Sequence, residues 1–161
     1  MKLAKRIAIV EDDPDQRANY ADAISKKGYT VNAYGSRSEA LSGFDAELPD
    51  LVILDIILGE EIDAGFQLCR ELLSREANLP VIFLTERIDL SGTEVRMLAK
   101  LVRVPGNAVS YETLMNATMQ SLVTNNTINT HMRNIRKKFE KLDSNFACIK
   151  SEYGFGYRWS Q

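Results

Sequence analysis

Four short apolar runs, separated by stretches that carry helix start and stop signals, constrain this chain more than any other feature. Arg6-Ile7-Ala8-Ile9-Val10 runs into Glu11-Asp12-Asp13, and Tyr29 to Tyr34 forms a second run. Pro49-Asp50 introduces Leu51 to Leu54, closed by Asp55, and Pro80 introduces Val81 to Leu84, closed by Thr85. Between the first two runs, Asp13-Pro14-Asp15-Gln16 reads as a helix opening. Asp13 can cap, Pro14 suits the first helical position, and Gln16 can reach back in a capping box. Gly28 is the expected stop. Ser36-Arg37-Ser38-Glu39 reads as a second capping box, with Ala40, Leu41 and Phe44 turned inward. A helix from about Gly65 to Glu76 carries Phe66, Cys69, Leu72 and Leu73 at helical spacing. Strands alternating with helices in this way predict βαβ units and a parallel sheet. In such a sheet, functional residues gather beyond the carboxyl ends of the strands.

The acids stand at those ends. Folding the sheet would bring Glu11, Asp12 and Asp55 to one edge, with Thr85 closing the fourth strand. Clustered carboxylates raise one another's pKa unless a cation compensates. A hard divalent ion such as Mg²⁺, held by carboxylates, waters and a substrate phosphate, is the natural compensation. A carboxylate beside such a metal can also act as a nucleophile and form an acyl phosphate. The plainer alternative is that Glu11 and Asp13 only cap the first helix.

Composition excludes several classes. With 161 residues, 45% of them hydrophobic, the chain has room for one domain or two small ones and is not a disordered polymer. Four Pro and nine Gly exclude a collagen-like or proline-rich fibre. The apolar runs are strand-sized, well short of the roughly 18 residues a membrane span needs. The basic start has no apolar segment behind it. Two cysteines, Cys69 and Cys148, read as small buried hydrophobes of a reducing compartment, which places the chain in the cytoplasm. The net charge of −2 hides a division: residues 1–86 carry 9 Lys and Arg against 16 Asp and Glu, a balance of −7. Residues 87–161 carry 11 against 6, a balance of +5, which makes the second part a candidate for nucleic acid.

In that basic part, Ser91 and Glu94 form a capping box for a helix whose apolar face is Val95, Leu98, Leu101 and Val102. Pro105-Gly106 ends it. Ser110 caps a short helix with Leu114 and Met115, and a longer helix runs from about Asn126 to Lys141. Ile128, Met132, Ile135, Phe139 and Leu142 recur along it at intervals of four and three residues. Thr130, Arg133, Asn134 and Lys137 share the opposite face, with Arg136 flanking. Alone, such a face is a solvated surface. Here it is followed by Cys148 to Trp159, a run whose Gly154 and Gly156 suggest a β-hairpin edged by basic and aromatic residues. Arg and Asn can contact guanine and adenine edges, and Lys137 and Lys150 suit phosphates. His131, the only histidine, has no nucleophilic or acidic pattern around it, and there is no phosphate-binding glycine loop or Cys/His metal cluster. The chain does not read as an enzyme. Tyr20, Phe66 and Met97 read as core.

The first part resembles the receiver domain of two-component response regulators, through Ile9-Val10-Glu11-Asp12-Asp13-Pro14, Pro49 to Asp55, and Phe83-Leu84-Thr85. The resemblance implies that Asp55 is the phosphoacceptor and Thr85 the switch hydroxyl. Glu11, Asp12, Asp55 and the backbone carbonyl of Ile57 would be the Mg²⁺ ligands. The second part, from roughly Ile88 to Trp159, is similar to the OmpR/PhoB-type winged helix-turn-helix, through Thr127 to Phe139 and the Gly154-Phe155-Gly156-Tyr157-Arg158-Trp159 ending. This implies major-groove reading by the long helix and backbone or minor-groove contact by the wing, with Thr130, Arg133, Asn134, Arg136, Lys137, Lys150 and Tyr157 as DNA-binding residues. The loop Ile57 to Phe66 lacks the proline that most receivers carry after the phosphoacceptor. Together with Leu68 to Leu72 and the Tyr153 to Trp159 ending, it is similar to the response regulator of the proteobacterial dedicated sortase system.

The expected architecture is α/β. It comprises a truncated flavodoxin-like receiver with about four parallel strands over residues 1–87, and an α+β winged helix-turn-helix domain over 88–161. A whole receiver has five strands and five helices and a lysine after the fifth strand. No counterpart of the fourth helix, fifth strand, fifth helix or that lysine is present here, so roughly 60 to 70 residues are missing from the middle, as by one internal deletion. The resemblance implies a DNA-binding response regulator with impaired phosphorylation-driven switching, partnered by double-stranded DNA and a cognate sensor histidine kinase. RNA polymerase and a second copy of the chain are further partners it allows; a membrane is not. The competing reading is a phosphoryl- or Mg²⁺-binding module that acts through protein contacts without sequence-specific DNA binding.

Overall fold

A computed structural model describes residues 4–84 and 86–160. It divides into two compact units, Met1–Thr85 and Glu86–Gln161.

The first unit has β1 (Arg6–Val10), α1 (Pro14–Ser25), β2 (Thr30–Tyr34), α2 (Arg37–Ala46), β3 (Leu51–Asp55), α3 (Ala64–Arg75) and β4 (Val81–Leu84). The four strands form one parallel sheet in the order β2-β1-β3-β4. Ile9 stands beside Ile53, and Asp55 beside Leu84. Side chains alternate between the faces of a strand. Ala8, Val10, Val52 and Leu54 therefore pack as one layer against Ala40 and Phe44 of α2 and Leu68, Cys69 and Leu72 of α3. Ile7 and Ile9, on the other face, are also buried. Ile82 of the edge strand β4 is half exposed.

Asp13 accepts hydrogen bonds from the Asp15 and Gln16 N–H groups, both at 2.9 Å, which fixes the start of α1 directly after the first acids. The box expected at α2 is displaced. Ser36 Oγ accepts from Glu39 N–H at 3.2 Å, but Glu39 Oε2 accepts from Gly35 N–H at 2.7 Å, one residue before the cap. The start of α3 depends on a glycine: Gly65 N–H donates to the Ile56 carbonyl at 3.0 Å, and a Cβ at Gly65 would lie 2.0 Å from the Asp55 carbonyl oxygen. No other residue lets the helix approach the end of β3 so closely. Tyr20, expected in the core, is only half buried. No residue of α1 is wholly buried.

The second unit has α4 (Gly92–Val102), β5 (Ala108–Ser110), α5 (Tyr111–Thr118), α6 (Asn125–Glu140), β6 (Ile149–Glu152) and β7 (Gly156–Trp159). The capping box of Ser91 and Glu94 is present. The buried stripe of α4 is Met97, Leu98, Leu101 and Val102, while Val95 is half buried. Ile128, Met132, Ile135 and Phe139 of α6 are fully buried. Leu142 lies beyond the helix end and is half exposed, so the apolar stripe stops one position earlier than its period suggests. Trp159 closes this core with Phe146, which stacks on Phe139. The strand β5, too short to be legible in the sequence, pairs antiparallel with β7 and completes a sheet of order β5-β7-β6. Cys69 is buried, whereas Cys148, next to the start of β6, is half buried. No helix among the described residues is long and apolar enough to cross a membrane.

Candidate phosphoryl site and nucleic-acid interface

Parallel β1 and β3 end side by side, which carries Glu11, Asp12 and Asp55 to one edge of the sheet. One carboxylate oxygen from each lies within 4.8 Å of the others. Glu11 and Asp55 are buried and Asp12 is half buried. Backbone groups fix their orientation. Ile57 N–H donates to Asp55 Oδ1 at 3.3 Å, Asp13 N–H to Glu11 Oε1 at 3.2 Å, and Gly59 N–H to Asp12 Oδ2 at 3.1 Å. The Arg17 guanidinium donates to the Glu11 and Asp12 carbonyls, at 2.6 and 3.2 Å, and so pins the loop that carries both acids.

The three acids form an all-oxygen donor set with two members out of water. Like charges at this spacing repel unless a cation or a proton intervenes. A hard divalent cation fits such donors, and Mg²⁺ in particular accepts few carboxylates and keeps other positions for water or phosphate. Ile57 follows Asp55 by two residues, just past the end of β3. Thr85, expected to complete the site, lies outside the described residues. Two further contributors, Gly59 and Arg17, carry no local sequence signal: one acts through its backbone N–H from 47 positions away, the other through backbone carbonyls.

In the second unit, Thr130, Arg133, Asn134 and Lys137 are all exposed, on the face of α6 opposite the buried Ile128, Met132, Ile135 and Phe139. Thr130 Oγ1 donates back to the Asn126 carbonyl at 2.9 Å. Lys150 is exposed on β6. The two other expected residues are placed differently. The Arg136 guanidinium donates to the Ile149 carbonyl at 2.8 and 3.1 Å and to Ser151 Oγ at 3.1 Å, and sits 5.4 Å from the Tyr157 ring centre. Tyr157 is buried, and its hydroxyl donates to Asn129 Oδ1 at 2.8 Å. Tyr111 donates to the same oxygen at 2.8 Å, with its ring edge-on to Tyr157 at 6.0 Å. Burial, and then the neighbouring Tyr111, push the Tyr157 phenol above its usual range, against the pull of the Arg136 cation. The phenol therefore stays protonated and keeps donating.

Arg136 and Tyr157 thus form part of the joint between α6 and the hairpin β6–β7, and five of the seven expected residues face outward. Asn129 and Tyr111 were not singled out from the sequence, because only the fold brings positions 18 and 28 residues apart onto one oxygen. A cleft of about 430 Å³ opens between helix and hairpin, lined by Arg133, Ser151 and Tyr153 among others.

Two family models match the chain: a response regulator receiver domain over residues 7–101, and the C-terminal domain of transcriptional regulatory proteins over 85–159. The transcriptional regulatory protein BaeR of Escherichia coli O6:H1 is 26% identical over 221 residues, covering 96% of this chain and 92% of BaeR. The response regulator MprA of Mycobacterium ulcerans is 34% identical over 89 residues, covering 55% of this chain and 38% of MprA. Among solved structures, the BeF₃-activated receiver domain of Klebsiella pneumoniae RstA is 30% identical with a TM-score of 0.50, over 60% of this chain and 78% of that one. The HemR receiver domain of Leptospira biflexa, 24% identical, shares the fold with a TM-score of 0.52, over 74% of this chain and 98% of that one. The matched family consists of regulators of transcription rather than enzymes. The chain belongs to the OmpR/PhoB-type two-component response regulators, with a receiver domain followed by a C-terminal DNA-binding domain.

Proposed function

We propose that this chain is a DNA-binding transcriptional regulator that keeps the acidic site of a receiver and the reading surface of a winged helix, with weakened coupling between phosphorylation and DNA binding. The observation that carries the first element is the meeting of Glu11, Asp12 and Asp55 within 4.8 Å. Asp55 is the phosphoacceptor: one of its oxygens attacks phosphorus while the P–N bond of a sensor kinase phosphohistidine breaks and the imidazole leaves. Glu11, Asp12, Asp55 and the Ile57 carbonyl would hold Mg²⁺. When bound, the ion supplies positive charge against the phosphoryl oxygens. Thr85 is the switch hydroxyl.

On the DNA side, Thr130, Arg133, Asn134 and Lys137 read and hold a duplex in the major groove, and Lys150 takes a phosphate from the hairpin. Arg136 and Tyr157 serve the same surface from beneath, through the joint they build. We place the domain boundary at residues 87 and 88, two positions past the division between the two compact units.

Three observations support an internal deletion. The alignment with BaeR spans 221 residues, 60 more than this chain possesses. The two family matches overlap over 85–101, so no residue separates them. The sheet of the first unit has β4 at its edge, with no fifth strand among the described residues. The receiver's lysine has no counterpart after Thr85, which removes the fixed cation expected at a phosphorylated Asp55 and weakens switching. The unusual Ile57 to Phe66 loop further suggests kinship with regulators of the dedicated sortase system. Cytoplasmic location, a cognate histidine kinase, RNA polymerase and a second copy of the chain follow from this reading as setting and partners.

The test is DNA affinity with and without an acetyl-phosphate-type donor and Mg²⁺. Salt-sensitive binding that changes little on phosphorylation is the expected result. A large increase that disappears in Asp55→Asn refutes impaired switching. Binding insensitive to salt and to Arg133→Ala and Lys137→Ala would favour a protein-contact module instead.

A further inference from the structure

The sheet of the first unit is open at β4. Val52 N–H donates to the Pro80 carbonyl at 3.0 Å and Ile56 N–H to the Leu84 carbonyl at 3.3 Å, so the even positions of this segment turn their backbone groups toward β3. The N–H and C=O groups of Val81 and Phe83 therefore point the other way, where no strand among the described residues meets them. The side chains show the same interruption. Ile9, Ile53 and Ile82 stand side by side in one row across β1, β3 and β4. Ile9 is wholly buried, Ile53 half buried and Ile82 50% exposed, so an apolar row runs off the sheet into water. On the other face of β4, the Phe83 ring is held edge-on to Phe66 at 5.2 Å.

We propose that β4 pairs with β4 of a second copy of the chain, antiparallel and about a two-fold axis, joining two four-stranded sheets into one. The outward backbone groups fix the register. Val81 of each copy forms a hydrogen-bonded pair with Phe83 of the other, which makes four N–H···O=C bonds. Ile82 then faces its own counterpart across the axis, with Cα atoms about 4.5 Å apart as in any non-hydrogen-bonded antiparallel pair. The apolar row continues through the axis into the second sheet. Three arguments select a second copy as the occupant. An open strand edge is satisfied by another strand, and a two-fold pairing of identical strands closes both edges at once. Leu79 to Thr85 contains no charged residue, so self-pairing sets no like charges opposite one another, and the lysine that commonly guards an edge is missing. The interface also prolongs the row Ile9, Ile53 and Ile82, whereas the opposite edge strand β2 exposes only Thr30 and Ala33. One strand pair with its flanking side chains belongs to the small interfaces, under about 1,200 Å² in total, and gives a reversible dimer rather than an obligate one. This names the surface that a second copy uses and does not depend on the DNA-binding reading.

The experiment measures self-association of the full chain by sedimentation over a concentration series, without DNA. The wild type should pass from monomer to dimer. Ile82→Lys and Ile82→Glu should each weaken the dimer roughly tenfold or more, because the axis sets two like charges directly opposite each other. An equimolar mixture of these two variants should recover it, and Ile82→Val should keep it. Ile82 is half exposed in the single chain, so thermal unfolding at concentrations where all are monomeric should be the same. Hydrogen exchange supplies the second readout. The Val81 and Phe83 amides should slow as wild-type concentration rises, while the Ile82 and Leu84 amides, bonded to β3, stay protected throughout. A wild type that is monomeric at every concentration overturns the proposal. So does a dimer that survives Ile82→Lys, or exchange at Val81 and Phe83 that is independent of concentration. Species larger than a dimer overturn the closed two-fold pairing. Failure to bind a duplex leaves this result untouched, and failure to dimerise leaves the DNA-binding reading untouched, so the two are separately refutable.

Discussion

Lys138 of α6 places its ammonium 2.7 Å from the buried carboxylate of Glu94, 44 positions earlier at the start of α4. The same carboxylate oxygen accepts from Ser91 N–H at 2.7 Å, so one residue caps α4 and ties it to the helix that carries the proposed reading face. Burial alone would raise the Glu94 carboxyl, but the Lys138 ammonium and the Ser91 N–H outweigh it and hold the group below its ordinary value of 4.5. Such a carboxylate stabilises the fold fully above its unfolded pKa, and the contribution is lost as pH falls through the lowered folded value. The second unit should therefore lose stability below about pH 4.5, and this acid limb should be absent in Glu94→Gln. At neutral pH, Glu94→Ala should cost about 2–3 kcal/mol, through loss of the cap and an uncompensated Lys138. Denaturant unfolding followed by the fluorescence of Trp159, the only tryptophan and fully buried in this unit, measures both effects.

Gly65 is the tightest constraint on the acidic site. A Cβ there meets the Asp55 carbonyl at 2.0 Å and the Ile56 Cα at 2.8 Å, both backbone atoms that cannot swing aside. Gly65→Ala should push the start of α3 off the end of β3 and cost the first unit about 3 kcal/mol. Gly59→Ala, with φ of +67° but no heavy atom within 4 Å of the added Cβ, should cost only about 1 kcal/mol. Hydrogen exchange at β3 amides separates the two, and equal protection in both variants would refute the packing argument.

The sheet and its acidic edge were legible in the sequence because both depend on local signals. Apolar runs ended by Glu11 and Asp55 specify strands, and a parallel sheet has only one edge to which their carboxyl ends can go. The stripe Ile128, Met132, Ile135 and Phe139 likewise defined the outward face of α6 without reference to any other element. What escaped was non-local. Arg136, which flanks the polar face of α6, and Tyr157, in the hairpin, were expected to contact DNA. The fold instead brings the Arg136 guanidinium to the Ile149 carbonyl and the Tyr157 hydroxyl to Asn129. The strand β5 escaped because three residues carry too little period to be distinguished from a loop, and only pairing with β7 makes it a strand.

At the acidic site, repulsion and metal binding predict opposite signs for one substitution. Removing a charge from three carboxylates within 4.8 Å relieves repulsion, so Asp55→Asn should raise the thermal midpoint of the first unit in a chelator-containing buffer. Added Mg²⁺ should stabilise the wild type by about 2.7 kcal/mol at a concentration one hundred times its dissociation constant. The variant should gain far less, so that the order of the two midpoints reverses as Mg²⁺ rises. Parallel responses of the two proteins would mean that the ion does not use Asp55.

The Asn129 node makes the last prediction. Two phenols, Tyr157 buried and Tyr111 half buried, donate to one amide oxygen, and this joins the start of α5, the helix α6 and the strand β7. Tyr111→Phe and Tyr157→Phe each remove one donor and leave the other, and should each cost about 1 kcal/mol of stability. The double variant leaves Asn129 Oδ1 without either phenol inside the joint, and should cost more than the sum of the two. Since the node links α6 to the hairpin strand β7, duplex affinity should fall more in the double variant than in either single one. The salt slope should stay unchanged, because no cation is removed. A double-mutant cycle on unfolding, with the same four proteins compared in DNA binding, tests both parts. Strict additivity in stability would show that the two hydroxyls do not share the oxygen. Unchanged duplex affinity in a destabilised double variant would show that the joint holds the fold without orienting the surface that binds.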